Sequence, residues 1–501
     1  MENRPQWGTR TGFVLAAIGS AVGLGNIWRF PAVAFENGGG AFFIPYLFAL
    51  VTAGIPLLIL EFSIGQKYRG SAPLSFARMS KKTEWIGWWQ LAISFVISTY
   101  YAVIVAWAMS YCLFSIKQSW GNDAEAFLYY NYLKVSAEAG QTGNIVPGIL
   151  IPLLIIWVIV LGTLIKGIKR GIEFANRIFL PLLVVLFSII VVRAVTLPGA
   201  EVGLNAFFEP DWNKILDARV WVVAYGQIFF SLSVGFAIMM TYASYLPKKA
   251  DITNNAFITG FANSSFELLA GIGVFSVLGF MAVQQGVDIK DVVADGIGLA
   301  FVVFPSIINE LPAFNGFFGL LFFVSLFLAG ITSLLSIIET YVAGIQDKFK
   351  MKRTTAVLLG GGLSAVISVS YATQGGLQFL DVIDAFINNY GVVLAGLMEV
   401  ITVAWFLNNL KEFKRHANDI SDFRLGNWWN GCLTYITPGV LTLILVKSMI
   451  KDTTDPYGGY PIGFIALYGW GTAAMVLVVG FLFSLKKWDA NLVDSRDKEV
   501  L

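Results

Sequence analysis

Twelve stretches of about 20 apolar residues, almost free of charge, run through the sequence. They are centred near residues 22, 54, 102, 157, 185, 233, 268, 332, 362, 393, 438 and 473. A helix of that length crosses the roughly 30 Å hydrocarbon layer of a membrane. Hydrocarbon admits only helices and closed barrels, because every backbone N–H and C=O inside it needs a partner. An all-α integral membrane protein is expected. Composition agrees: 56% of the 501 residues are hydrophobic and 13% are charged, too few charges for a water-soluble chain of this length. The net charge of +2 gives no sign of nucleic-acid binding. Two cysteines, Cys112 and Cys432, and one histidine, His416, are too few for a disulfide framework or a Cys/His metal site.

Lysine and arginine orient the spans, since inner loops carry the basic excess. Lys67, Arg69, Arg78, Lys81 and Lys82 follow span two, and Lys166, Lys169, Arg170 and Arg177 follow span four. Lys348, Lys350, Lys352 and Arg353 follow span eight, and Lys411, Lys414, Arg415 and Arg424 follow span ten. The intervening loops carry acid instead: Glu201, Glu209, Asp211, Asp217, Asp288, Asp291 and Asp295. A multi-pass protein of the cell membrane is expected, with even-numbered spans ending in the cytoplasm and both termini inside. Met1–Arg10 lacks the regions of a signal peptide. The outer segments 118–146, 198–219 and 285–316 are long, and are expected to cover an external vestibule.

Two spans are interrupted. The first reads Gly19-Ser-Ala-Val-Gly-Leu-Gly-Asn-Ile-Trp-Arg-Phe-Pro31, the second Tyr225-Gly-Gln-Ile-Phe-Phe-Ser-Leu-Ser-Val-Gly-Phe236. A broken backbone at membrane depth persists only where it is buried in protein or lines a cavity. Spans one and six are corresponding members of two five-span halves, 1–5 and 6–10. Five is odd, so the halves must run in opposite senses. Interrupted segments at matching positions of inverted halves point to a transporter's binding site. Gly19-x-x-x-Gly23 also fits a helix-packing face, but Asn26, Arg29 and the second break favour a site. Gly23-x-Gly25 begins like a dinucleotide fingerprint, yet Trp28 takes the third glycine's place. Gly65 and Gly70 have phosphate-loop spacing, yet Ser71 stands where lysine is required.

Gly23-Leu-Gly-Asn-Ile-Trp-Arg-Phe-Pro31, Asn37-Gly-Gly-Gly-Ala-Phe-Phe-Ile-Pro-Tyr46 and Gly54-Ile-Pro56 resemble the neurotransmitter:sodium symporters. These are sodium-dependent secondary transporters of amino acids and amines. The resemblance continues through Gln227–Ser244, Asn263–Glu267, Ala329–Ser333 and Asp381–Asp384. It implies ten spans in two inverted repeats, residues 1–200 and 201–410, with helices 1 and 6 unwound. Residues 411–501 would hold two peripheral spans and a cytoplasmic tail. Alternating access around a midplane site is implied as well.

Sodium is a hard cation and takes oxygen ligands. By the resemblance, the first sodium site comprises the Ala21 carbonyl, Asn26, Ser231 and Asn263, completed by the substrate carboxylate. Ion and substrate would then each favour the other's binding. Position 231 is serine where relatives often carry threonine, and the hydroxyl is kept. The second site comprises the carbonyls of Gly19, Val22 and Ala329 with the hydroxyls of Thr332 and Ser333. For that pair the residues alone favour ordinary bonding to the preceding helical turn.

The resemblance places the substrate carboxylate at the amides of Leu24 and Gly25 and the Tyr101 hydroxyl. The ammonium falls at carbonyls near Ala21, Phe230 and Ser231. Gly23 stands where amine-transporting relatives carry aspartate, which leaves room for a substrate carboxylate. The side-chain pocket would be Ser20, Ile97, Phe230, Ser233, Phe236, Ser333 and Ile337. It is apolar with three hydroxyls, and a charged side chain would be costly there. A neutral, hydrophobic α-amino acid is the expected substrate, carried by a monomer or homodimer in the lipid bilayer.

An ionisable group within a span is functional by default. Arg29 and Asp384, assisted by Asp381, match the family's outer gate, usually closed through water. Arg4 and Asp347, supported by Trp7, Ser244 and Tyr245, match its inner latch. Chloride-dependent relatives have a small neutral residue at position 267 and hold the anion among groups that correspond to Tyr46, Gln227, Ser231 and Asn263. Glu267 would supply the charge itself, so chloride-independent transport is expected, with the carboxyl available to carry a proton on the return step. Glu61, Glu339 and Glu399 receive no transport role. The alternatives are a sodium-conducting channel, against which the paired gates argue, and an amino-acid sensor on a transporter fold. No nucleophile–base pair or metal cluster suggests an enzyme.

Overall fold

The computed structural model describes residues 4–493, a helical bundle with no strand among the described residues. Its main helices are α1 (Arg10–Ala21), α2 (Leu24–Glu36), α3 (Gly40–Tyr68), α4 (Lys81–Lys117), α5 (Pro147–Ile165), α6 (Ile168–Val195), α7 (Ala218–Ser231) and α8 (Ile238–Ala243). They continue with α9 (Ile252–Gln285), α10 (Asn315–Phe349), α11 (Arg353–Ala372), α12 (Gly376–Phe406), α13 (Leu410–Ile420), α14 (Asn427–Gly459) and α15 (Ile462–Leu485). Ten of these are long and apolar enough to span a membrane, and the bent pair α1–α2 makes an eleventh span. The sequence reading counted twelve. The difference is residues 218–243, which divide into helices of 14 and 6 residues, each too short to cross alone.

The helices α4 and α10 form the most extensive pairing in the bundle. In their apolar windows 83% and 89% of residues are buried by protein. The corresponding share is 33% or less for α5, α6, α14 and α15. Their exposed residues, such as Val158, Val192, Tyr435 and Phe481, suit hydrocarbon rather than water. The two C-terminal spans, α14 and α15, are thus as little covered by protein as α5 and α6.

Both interruptions have definite backbone causes. The α1 helix is N-capped by Thr9, whose hydroxyl accepts the Gly12 N–H at 2.9 Å. It ends at Val22, where the chain turns extended (ψ 94°), and Gly23 is extended too before α2 begins, bent 53° from α1. Between α7 and α8, Ser233, Gly235 and Ala237 all have positive φ, of 54°, 89° and 69°. Only glycine adopts this freely. The strain at Ser233 is met by its hydroxyl donating to the Ser20 carbonyl at 3.0 Å, which ties the second break to the first.

The segments between spans are not bare loops. Residues 198–219 contain the helix Ala200–Phe208, packed on α9, and residues 285–316 contain Gly296–Glu310. On the opposite face, where the ends of α3, α8 and α10 meet, α13 docks through His416. Its Nε2 donates to Gln66 Oε1 at 2.6 Å, and Gln66 Nε2 donates to the carbonyls of Pro247 and Lys248 at 2.9 and 2.6 Å. Burial, and then the neighbouring Lys67, push the imidazole from 6.5 down to about 4. The unfolded chain therefore binds a proton that the folded chain refuses across this interval. Thermal stability in detergent should fall as pH is lowered from 6.5 towards about 4. His416→Gln should flatten that part of the curve, and an unchanged slope would count against the docking role.

Candidate functional site

The two breaks meet α9 through a directional chain of hydrogen bonds. The Gly23 N–H donates to Asn26 Oδ1 at 2.8 Å, Asn26 Nδ2 donates to Asn263 Oδ1 at 2.8 Å, and Asn263 Nδ2 donates to Ser231 Oγ at 2.5 Å. Ser231 in turn reaches the Glu267 carboxyl. Asn26 and Asn263 are buried and Ser231 half-buried. Three of the four predicted members of the first sodium site, Asn26, Asn263 and Ser231, are thus joined, and the fourth, Ala21, closes α1 two residues before Gly23. All their donor atoms are neutral oxygens, the set a hard monovalent cation favours. Each amide oxygen keeps a second lone pair.

Beside this chain, Gly23 faces α4 and α10. A Cβ on it would lie 3.1 Å from Ser333 Oγ and 3.4 Å from Tyr101 Oη, while one on Gly25 would meet nothing within 4 Å. The Tyr101 hydroxyl is in reach of the Leu24 amide. The side of Gly25 is open, while a freed amide, a phenol and a serine hydroxyl close in on Gly23. Ile97, Ser233 and Ile337 are buried, and Phe230 and Phe236 half-buried. Ser20 is buried too, but its hydroxyl pairs with Ser336 at 2.8 Å, a partner that the sequence did not single out.

At the predicted second sodium site, Thr332 donates to the carbonyls of Leu328 and Ala329, both at 3.0 Å, and Ser333 donates to Ala329 O at 3.2 Å and Ser20 O at 3.3 Å. These are mostly the back-bonds expected from the residues alone. Gly19 and Val22 stand opposite, at the C-terminal end of α1. A residue missed by the sequence reading, Asn176 on α6, places Oδ1 against Gly19, where an added Cβ would lie 2.4 Å from it. That oxygen is buried and has no partner.

Glu267 is fully buried. Tyr46 Oη donates to its Oε2, and Gln227 Nε2 donates to Oε1 at 2.7 Å. Tyr46, Gln227 and Ser231 thus meet the carboxyl directly. Asn263 does not bond Glu267, because both ends of its amide are taken by Asn26 and Ser231. Ser264 lies in that place, its Oγ 2.8 Å from Tyr46 Oη.

The two gates differ. Arg4 Nη1 pairs with both Asp347 oxygens at 3.0 Å, its Nε and Nη2 donate to Ser244 Oγ at 3.2 and 2.9 Å, and it lies 5.0 Å over the Tyr245 ring. Trp7 Nε1 donates to the Tyr242 carbonyl at 2.9 Å. The latch extends further than expected. Tyr245 Oη donates to Glu339 Oε1 at 2.7 Å, and Arg353 pairs with Glu339 at 2.6 Å. At the other end the predicted pair is not joined. Among the described residues Arg29 has no carboxylate within 4 Å, and lies 5.3 Å over the Phe230 ring. Asp384 accepts from Asn388 at 2.8 Å, while Asp381 accepts from Tyr457 and Tyr460 at 2.9 and 3.0 Å. Arg29 makes no direct contact with either acid, and Asp384 remains near enough to it to act electrostatically.

Interrupted helices that bring freed polar groups into the core of an all-α membrane bundle define a secondary transporter. The sequence profile of the sodium:neurotransmitter symporter family matches residues 4–126 and 119–490. The chain belongs to that family, a family of sodium-dependent transporters and not of enzymes. It is 40% identical over 482 residues to an uncharacterized sodium-dependent transporter of Methanocaldococcus jannaschii, covering 96% of this chain and 97% of the relative. It is 31% identical to the sodium- and chloride-dependent glycine transporter 2 of Xenopus laevis, covering 96% and 69%. It is also 31% identical to a sodium-dependent dopamine transporter of Bos taurus, covering 99% and 76%.

Proposed function

We propose that the protein is a chloride-independent sodium symporter of neutral, apolar L-amino acids that works by alternating access. The observation that carries this reading is the Gly23–Asn26–Asn263–Ser231 chain beside the open space at Gly25. Sodium bound among Ala21, Asn26, Ser231 and Asn263 would share the substrate carboxylate, which accepts from Leu24, Gly25 and Tyr101. A second sodium is assigned to Gly19, Val22, Ala329, Thr332 and Ser333. Each ion would strengthen substrate binding, and the substrate theirs. The apolar pocket formed by Ile97, Phe230, Phe236 and Ile337 accepts an uncharged side chain.

The face closed by Arg4–Asp347 is the cytoplasmic one, with both termini on that side of the cell membrane. With this face latched, the site would be reached from the opposite side. A continuous sodium channel is disfavoured by that closed latch. The halves 1–200 and 201–410 would rock against each other about the two breaks, with 411–501 peripheral. Two sodium ions entering down −100 mV and a tenfold gradient release about 7 kcal/mol, enough for roughly 10⁵-fold accumulation.

Gly23→Ala should weaken substrate binding about tenfold by crowding the space for the carboxylate, in line with the ~1–3 kcal/mol cost of overpacking. A competition panel of neutral, charged and decarboxylated amino-acid analogues, measured with and without sodium, tests both substrate class and this variant. Preference for a decarboxylated amine would overturn the assignment.

A further inference from the structure

The sodium and substrate sites leave Glu61, Gln90 and Glu399 unused. Glu61 is on α3, Gln90 on α4 and Glu399 on α12, and all three side chains are fully buried. Gln90 Nε2 donates to Glu399 Oε2 at 2.6 Å, and Glu61 Oε1 accepts the Gly235 N–H at 2.7 Å. Each residue then has one oxygen left over. Glu61 Oε2, Glu399 Oε1 and Gln90 Oε1 are buried without a hydrogen-bond partner. The Glu399 carboxyl is near enough to act electrostatically on Glu61.

Three buried acceptors without a hydrogen bond describe a place that is short of a proton. Among the described residues no lysine, arginine or histidine lies within ion-pairing distance of either acid. The groups facing the pair are the amide of Gln90 from α4, the backbone N–H of Gly235 from the α7–α8 break and the backbone of Met240 on α8. None carries charge. Two uncompensated carboxylates at membrane depth would be prohibitively costly, and carboxylates that share a buried site hold a proton rather than ionise together.

We propose that Glu61 and Glu399 form a proton-binding site, with Glu399 carrying the proton and Glu61 remaining ionised. Glu61 keeps its charge because two backbone groups, of Gly235 and Met240, reach it, where Glu399 has the Gln90 amide alone. Protonated Glu399 gains the one donor that the orphaned oxygens lack. A sodium ion fits less well, because it would have only these three free oxygens. Gly235 lies two residues from Ser233, which bonds the first break. Gain or loss of this proton therefore acts on the segment that joins the two breaks, and gives the conformational equilibrium a dependence on pH. The inference needs no assumption about substrate or chloride, and its readouts use neither.

The test is infrared spectroscopy of the full-length protein in lipid at neutral pH, with thermal unfolding across pH. Wild type should show the C=O stretch of a buried carboxylic acid that Glu399→Gln removes and Glu267→Gln leaves in place. The folded state binds this proton more tightly than the unfolded chain does, so wild-type stability should decline as pH rises. Glu399→Gln, which supplies a permanent donor, should lack that decline. Absence of a carboxylic-acid band in wild type would overturn the proposal. So would a band unchanged by Glu399→Gln, or an alkaline decline that survives the substitution.

Discussion

Glu267→Ala is expected to abolish sodium-driven uptake in chloride-free medium, and added chloride is expected to restore it. In the native site three donors converge on this carboxyl: Tyr46, Gln227 and Ser231. Alanine leaves all three without an acceptor in a fully buried position. Each unsatisfied donor costs about 1–3 kcal/mol, so the network loses roughly 3–9 kcal/mol and transport falls by at least about 10²-fold. What remains is a cavity lined by donors and lacking one negative charge, which is the description of an anion site. The damage reaches the first sodium site directly, because Ser231 also accepts from Asn263. Glu267→Gln opens no such cavity, so chloride should rescue it less. Undiminished chloride-free uptake by the alanine variant would remove Glu267 from the mechanism.

Arg4→Ala should shift the protein towards a state open on the latched face. The Arg4 and Asp347 side chains are only 11% and 17% exposed, so their pairing is weakly screened. Asp347 also accepts the Ser71 N–H at 2.8 Å, and Arg4 donates to Ser244. One substitution therefore loosens the ends of α3, α8 and α10 together. Loss of a partly buried pair of this kind costs about 2–3 kcal/mol, a roughly 30–150-fold change in the conformational equilibrium. Labelling of cysteines introduced below the latch should increase accordingly, and concentrative uptake should fall. Asp347→Ala should do the same, and the double variant should add little, since both residues serve one contact. Independent, additive effects would show that the two act separately.

The sequence was most informative where local chemistry sufficed. Gly23, Asn26 and the run to Pro31 mark the first break, and the apolar lengths mark ten spans. The second break was a weaker signal, because Ser233 and Ala237 adopt left-handed conformations that their residue types do not announce. Glu267 was recognisable as an isolated acid in an apolar helix, but its shell was only partly so. Asn263 and Ser264 both lie within a turn of Glu267 on α9, and which of them meets Tyr46 depends on the rotation of α9 against α3. The gate acids show the same limit. Asp381 and Asp384 stand out in the sequence, yet Tyr457, Tyr460 and Asn388 hold them. Glu61 and Glu399, some 340 positions apart, show no relation in the sequence, and only the packing of α3, α4 and α12 brings out their shared environment.

The central claim is sodium-coupled amino-acid symport. Its most direct test is uptake of labelled neutral amino acids into proteoliposomes, with an inward gradient of sodium or of potassium, in the absence of chloride. Concentrative uptake of an apolar amino acid with sodium alone is the predicted result. Equal uptake with potassium, or none without chloride, would contradict the account.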